Sequence, residues 1–75
     1  MNDKIHIGKS IKNKMVEDGR KVSWLAEKLH CDPSNIHKIF KKTDINTTQL
    51  LKISLILDFD FFNEYSEFIG NSKKI

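Results

Sequence analysis

Ile7, Ile11 and Met15 fall at i, i+4 and i+8, and apolar residues return every three or four positions from there to Phe68. A chain with that period buries one stripe of each helix, not the alternating face of a strand. One Pro and three Gly in the whole chain leave too few turn residues for an antiparallel sandwich. The sequence therefore predicts an all-α fold of five short helices. The first covers about 5–18, the second 22–29 and the third 33–41. A fourth is capped by Asn46 and ended by Asp58, and a fifth covers 61–68.

Local signals set these limits. Gly19 stops the first helix, and Gly8 inside it calls for another helix packed closely there. Asp32-Pro33 is a start signal: Asp at the N-cap accepts amide hydrogen bonds, and Pro at the first helical position loses no needed N–H. Cys31 and Ile36 are spaced for a hydrophobic staple. Asn46-Thr47-Thr48-Gln49 has the form of a capping box, with Gln49 reaching back and Ile45 and Leu50 as its staple. Leu50, Ile53, Ser54 and Leu57 line one face of the fourth helix. Leu51 and Leu55 widen that face until the helix is apolar nearly all round, the pattern of a buried central helix. Asp60 caps the fifth. The expected core spans about 5–68, with residues 69–75 as a flexible tail.

Seventy-five residues make one domain and no second. The single Cys forms no internal disulfide, which suits a reducing cytoplasm. The longest apolar run, Leu55-Ile56-Leu57, is far short of the roughly 18 residues of a membrane span, and the opening Met-Asn-Asp-Lys has no apolar signal core. No Gly-rich phosphate loop, activated nucleophile or cleft carboxylate pair suggests an enzyme or a bound cofactor. His30, Cys31 and His37 are poorly spaced for a metal and lack a fourth ligand. The charge is uneven: residues 1–42 carry +5 and residues 43–75 carry −2. A basic front and an acidic rear suit a chain that presents one side to a polyanion.

Val22 to Lys42 is the informative stretch. With Val22 as the first position, Leu25 is fourth, Ala26 fifth, Cys31 tenth, Ile36 fifteenth and Ile39 eighteenth. Five such positions, one of them a small residue at the crossing, describe two short helices held across each other by a tight turn. The segment Val22-Ser-Trp-Leu-Ala-Glu-Lys-Leu-His-Cys-Asp-Pro-Ser-Asn-Ile-His-Lys-Ile-Phe-Lys-Lys resembles the helix-turn-helix of the Cro and phage-repressor (XRE-like) family. Ile7-Gly8-Lys9-Ser10-Ile11 resembles that family's first-helix opening. Leu50-Leu51-Lys52-Ile53-Ser54-Leu55-Ile56-Leu57 is similar to its fourth helix, and Phe59-Asp60-Phe61-Phe62 to the entry of its fifth. The chain departs from the family at Val22 and Pro33, where Gln is common, and at His30, where the turn often has Gly. The resemblance, over about residues 5 to 66, implies a five-helix lambda-repressor-like domain. Its third helix would enter the major groove of double-stranded DNA and regulate transcription by occupancy.

Ser34, Lys38 and Lys41 share one helical face with His37, and Asn35 lies beside it. Asn suits adenine, Lys suits guanine, and Ser and His can donate to base acceptors, so Ser34, Asn35, His37 and Lys38 are the expected base contacts. Lys21, Ser23, Lys41, Lys42 and Thr47 are the expected phosphate contacts. Trp24 is expected to pack against a neighbouring helix and Cys31 to act as a small buried hydrophobe. Phe59, Phe61, Phe62, Tyr65 and Phe68 put five of the seven aromatics into ten residues. They are expected to close the core, with Phe61, Tyr65 and Phe68 also suited to a homodimer contact. The alternative is a protein-interaction module, such as the antitoxin half of a two-protein pair, that uses this aromatic helix on a partner.

Overall fold

The computed structural model describes residues 5–72 as five helices with no strand among them. They are α1 (Ile7–Glu17), α2 (Val22–Leu29), α3 (Pro33–Phe40), α4 (Thr47–Leu57) and α5 (Phe62–Ser72). The expectations for the first four residues and for 73–75 lie outside the described part.

Three of the helices end the same way. After α1, Gly19 takes a left-handed backbone (φ 68°); Arg20 N–H donates to Met15 O at 2.9 Å and Gly19 N–H to Val16 O at 3.1 Å. After α2, His30 does this (φ 57°), with Cys31 N–H on Ala26 O at 2.9 Å. After α4, Asp58 does it (φ 52°), with Phe59 N–H on Ser54 O at 3.0 Å. This double closure satisfies carbonyls that the helix end would otherwise orphan. Gly19 adopts the left-handed region without steric cost. His30 and Asp58 each give up about 1–2 kcal/mol to do so.

The starts are less uniform. Asn46 caps α4 as expected, its Oδ1 accepting from Gln49 N–H at 2.7 Å, but Gln49's side chain returns no bond among the described residues. Asp60 caps α5, its Oδ1 accepting from Phe62 N–H at 3.0 Å. Phe61 is thus a turn residue before the helix, and α5 runs on to Ser72, into the part expected to fray. Asp32 corrects an expectation. It occupies the N-cap of α3, yet its side chain makes no cap bond. Asn35 N–H, the amide that such a cap would take, donates instead to Asp32's own carbonyl at 2.9 Å. α1 starts at Ile7 because His6 caps it, Nδ1 accepting from Lys9 N–H at 3.1 Å.

One core joins the helices: Ile7, Ile11 and Met15 from α1, Leu25 and Ala26 from α2, Ile36 and Ile39 from α3, Leu50, Ile53 and Leu57 from α4, and Phe61. The expected inner faces are therefore the buried ones, except on α4. Leu51 is 51% exposed and Leu55 73% exposed, so α4 is half-covered rather than central. α2 and α3 form the most closely packed pair, with α1 against α3 and α2 against α4. Gly8 explains the α1–α3 approach: a Cβ there would stand within 2.6 Å of the Phe40 carbonyl carbon. The first amides of α1 also reach the chain beyond α3, Ile7 N–H donating to Thr43 O at 3.0 Å and Gly8 N–H to Lys42 O at 2.9 Å. α5 is held at its start by Phe61 and by Ser10 Oγ, which donates to Glu64 Oε1 at 2.9 Å; no residue of α5 itself is fully buried.

Candidate functional site

The turn between α2 and α3 spans His30, Cys31 and Asp32, and its left-handed residue turns the chain back across α2. Ala26, small and buried, lies on the inner side of α2. Ile36 and Ile39 anchor the inner side of α3. α2 and α3 thus form a helix-turn-helix pair, and the anchoring decides which side of α3 is left outward. Ser34, Asn35, His37, Lys38 and Lys41 are all exposed. The His37 ring meets the Phe40 ring edge-on at 6.0 Å.

The expected phosphate contacts are exposed as well: Lys21, Ser23, Lys41, Lys42 and Thr47. They stand at chain ends of helices rather than along them. Lys21 is the N-cap of α2 without a side-chain cap bond, and Ser23 is in the first turn. Lys41 is the C-cap of α3, where its charge also favours the helix dipole. Lys42 lends its carbonyl to Gly8 and so holds a fixed backbone position. Thr47 opens α4; Asn46 supplies the cap, and the Thr47 hydroxyl makes no hydrogen bond among the described residues.

None of these lysines makes an ion pair within 4.0 Å among the described residues. Among the described residues the ion pairs within 4.0 Å both belong to Lys14, to Glu17 at 3.1 Å and Asp18 at 3.3 Å. Lys14's pKa is held above its ordinary value, chiefly by the hydrogen bond its ammonium donates to the Glu17 carboxylate and then by Asp18. Asp58, Asp60, Glu64 and Glu67 lie instead around the end of α4 and on α5.

Trp24 packs half-buried against the core, as expected, and also carries cations: the Arg20 guanidinium lies 4.4 Å from its ring centroid and Lys28 Nζ 6.0 Å. Arg20 is thus held over an aromatic four residues on. Other side chains depart from expectation. Cys31 is only half-buried: it sits in the middle of the turn and packs against the edge of the core. Phe61 is 0% exposed, so it closes the core and has no surface for a second copy to touch. Tyr65 is half-buried and Phe68 is 41% exposed. The apolar surface that remains open includes Leu51 and Leu55, against the expectation of a buried α4, and Phe59, against the expectation that it closes the core. No group of three or more His, Cys, Asp or Glu among the described residues is placed to hold a metal ion. No helix there is long and apolar enough to cross a membrane.

No family model, curated protein or solved structure matches the chain.

Proposed function

We propose that this domain binds double-stranded DNA sequence-specifically and regulates transcription by occupying its site. One observation carries the reading. α3 is pinned from below by Ile36 and Ile39, and its opposite side, with Ser34, His37 and Lys38, is open, with exposed Asn35 beside it. A helix is about 10–12 Å across and the major groove about 12 Å wide, so such a side fits base edges. The lysines at the ends of α2 and α3 would flank that helix and neutralise phosphates. Neutralisation makes affinity fall with salt, whereas the α3 side chains give sequence preference. The resemblance of Val22–Lys42 to the Cro and phage-repressor family supports the same reading.

The test is selection of bound duplexes from a random pool at two salt concentrations. The expected result is one enriched motif whose affinity falls steeply with salt. Retention of all sequences alike, or of none, contradicts the reading. A second reading, a protein-interaction module such as an antitoxin, is favoured by the exposed Leu51, Leu55 and Phe59. Co-purification of a stoichiometric partner with no enriched DNA motif would support it.

A further inference from the structure

Beside the outward side of α3 runs a groove of about 640 Å³. Asn35, Lys38 and Lys42 line one part of it, and Thr48, Gln49 and Lys52 of α4 line another. Leu29 and Cys31 complete the α2 end, and no Asp or Glu is among the lining residues. Three lysines thus face one trough with no carboxylate to balance them. We propose that this groove seats one sugar–phosphate strand of the bound duplex, with Lys52 as a phosphate contact on the α4 side. The inference rests on the DNA-binding reading above and adds the path of a strand to it.

Position argues for Lys52. Lys41 at the end of α3 has a second use there, favouring the helix dipole. Lys52 has none: it stands mid-helix in α4, is exposed, and has no carboxylate within 4.0 Å among the described residues. Geometry argues for a strand. A helix that fills a major groove has a phosphate backbone along each flank. Asn35 and Lys38 belong both to the outward side of α3 and to this groove, so a strand in the trough would border the bases that α3 meets. Thr48 and Gln49 add hydrogen-bonding groups of the kind that position phosphates without reading sequence. Lys42 and Lys52 together would release counterions from adjacent phosphates, with Lys38 at the border between strand and bases.

The test is fluorescence-anisotropy titration of a labelled duplex carrying the selected motif, and of a random duplex, over a salt series. Wild type is compared with Lys52→Ala and with Lys12→Ala, an exposed lysine on α1. The expected result for Lys52→Ala is weaker binding to both duplexes and a log–log salt slope smaller by about 0.9. Lys12→Ala should leave both unchanged. In parallel, amine acylation read by mass spectrometry should show Lys52 protected in the complex together with Lys38. An unchanged slope in Lys52→Ala, or full acylation of Lys52 beside a protected Lys38, overturns the strand path. If Asn35→Ala and Lys41→Ala still weaken duplex binding in that case, the DNA reading stands and only the groove assignment falls. If no duplex binds, both fail. Preference for single-stranded RNA over every duplex also overturns the assignment.

Discussion

Gly8 N–H donates to the Lys42 carbonyl at 2.9 Å, so the start of α1 is tied to the chain just beyond the outward-facing helix α3. The tie requires the two backbones to touch, and only a residue without a side chain permits that. A Cβ on Gly8 would press on the carbonyl oxygens of Ile39 and Phe40 and lie 2.6 Å from the Phe40 carbonyl carbon. Backbone cannot swing away as a side-chain tip can. Gly8→Ala gains up to about 1 kcal/mol of helix propensity, but forced overpacking costs about 1–3 kcal/mol. The expected outcome is net destabilisation, with loss of the protection of the Gly8 amide against exchange. A urea midpoint equal to or above that of wild type would show that α1 does not bear on α3.

Ser54 is the opposite case, a group whose removal helps. Its Oγ is buried and finds no hydrogen-bond partner among the described residues. A hydroxyl taken out of water without a partner costs about 1–3 kcal/mol. A methyl group of nearly the same size carries no such penalty. Ser54→Ala is therefore expected to stabilise the fold by about 1 kcal/mol in urea unfolding, with the m-value unchanged. Destabilisation would mean that the hydroxyl is satisfied in solution, by a bound water or a rotated side chain.

How much of this was legible beforehand depends on how local each cause is. Gly19, Asn46 and Asp60 act on amides or carbonyls within a few residues, and their roles follow from residue type and position. So did the strain at His30, where the turn needs a left-handed residue. Asp32 misled because a neighbouring carbonyl outcompetes its side chain for the Asn35 amide, and that competition leaves no mark in composition. His6 was missed because His is not among the usual capping residues. Leu51 and Leu55 misled for a different reason. An apolar pattern all round a helix says what could be buried, but exposure depends on how many neighbours a short chain has left to cover it. The Ser10–Glu64 bond joins residues 54 apart in sequence, beyond the reach of any periodicity. The outward set on α3 was legible because Ile36 and Ile39 fix the inner side; the contribution of α4 to the adjoining groove depended on how α3 and α4 meet.

Tyr65 ties the junction of α5 to pH. Its phenol is pushed above the ordinary 10.0, first by burial and then by the negative charges of Glu64 and Asp44. The folded state therefore holds the proton longer than the unfolded chain does. The stability this represents is complete below pH 10.0 and is lost as pH rises through the folded value. Lys14, also raised, acts in the same direction. Tyr65→Phe should leave the urea midpoint near that of wild type at neutral pH and flatten the alkaline decline, with the residual slope including Lys14. An identical alkaline decline in the two proteins would place Tyr65 in water rather than against the core.

Asn35 and Lys41 divide the proposed interface between reading and holding. Asn35 is exposed on α3 near its start, with an amide that can pair with adenine in bidentate fashion. Lys41 caps the C-terminal end of α3 and offers charge alone. Asn35→Ala is therefore expected to cost about 1–3 kcal/mol on the selected motif and little on random duplex, with the salt slope unchanged. Lys41→Ala should weaken both duplexes alike and lower the slope by about 0.9. Neither residue belongs to the core, so urea midpoints near that of wild type would tie the losses to the interface. Anisotropy titrations of both duplexes at several salt concentrations separate the two roles. If the two variants lose affinity in the same pattern, α3 is held near DNA by charge without its side chains meeting the bases.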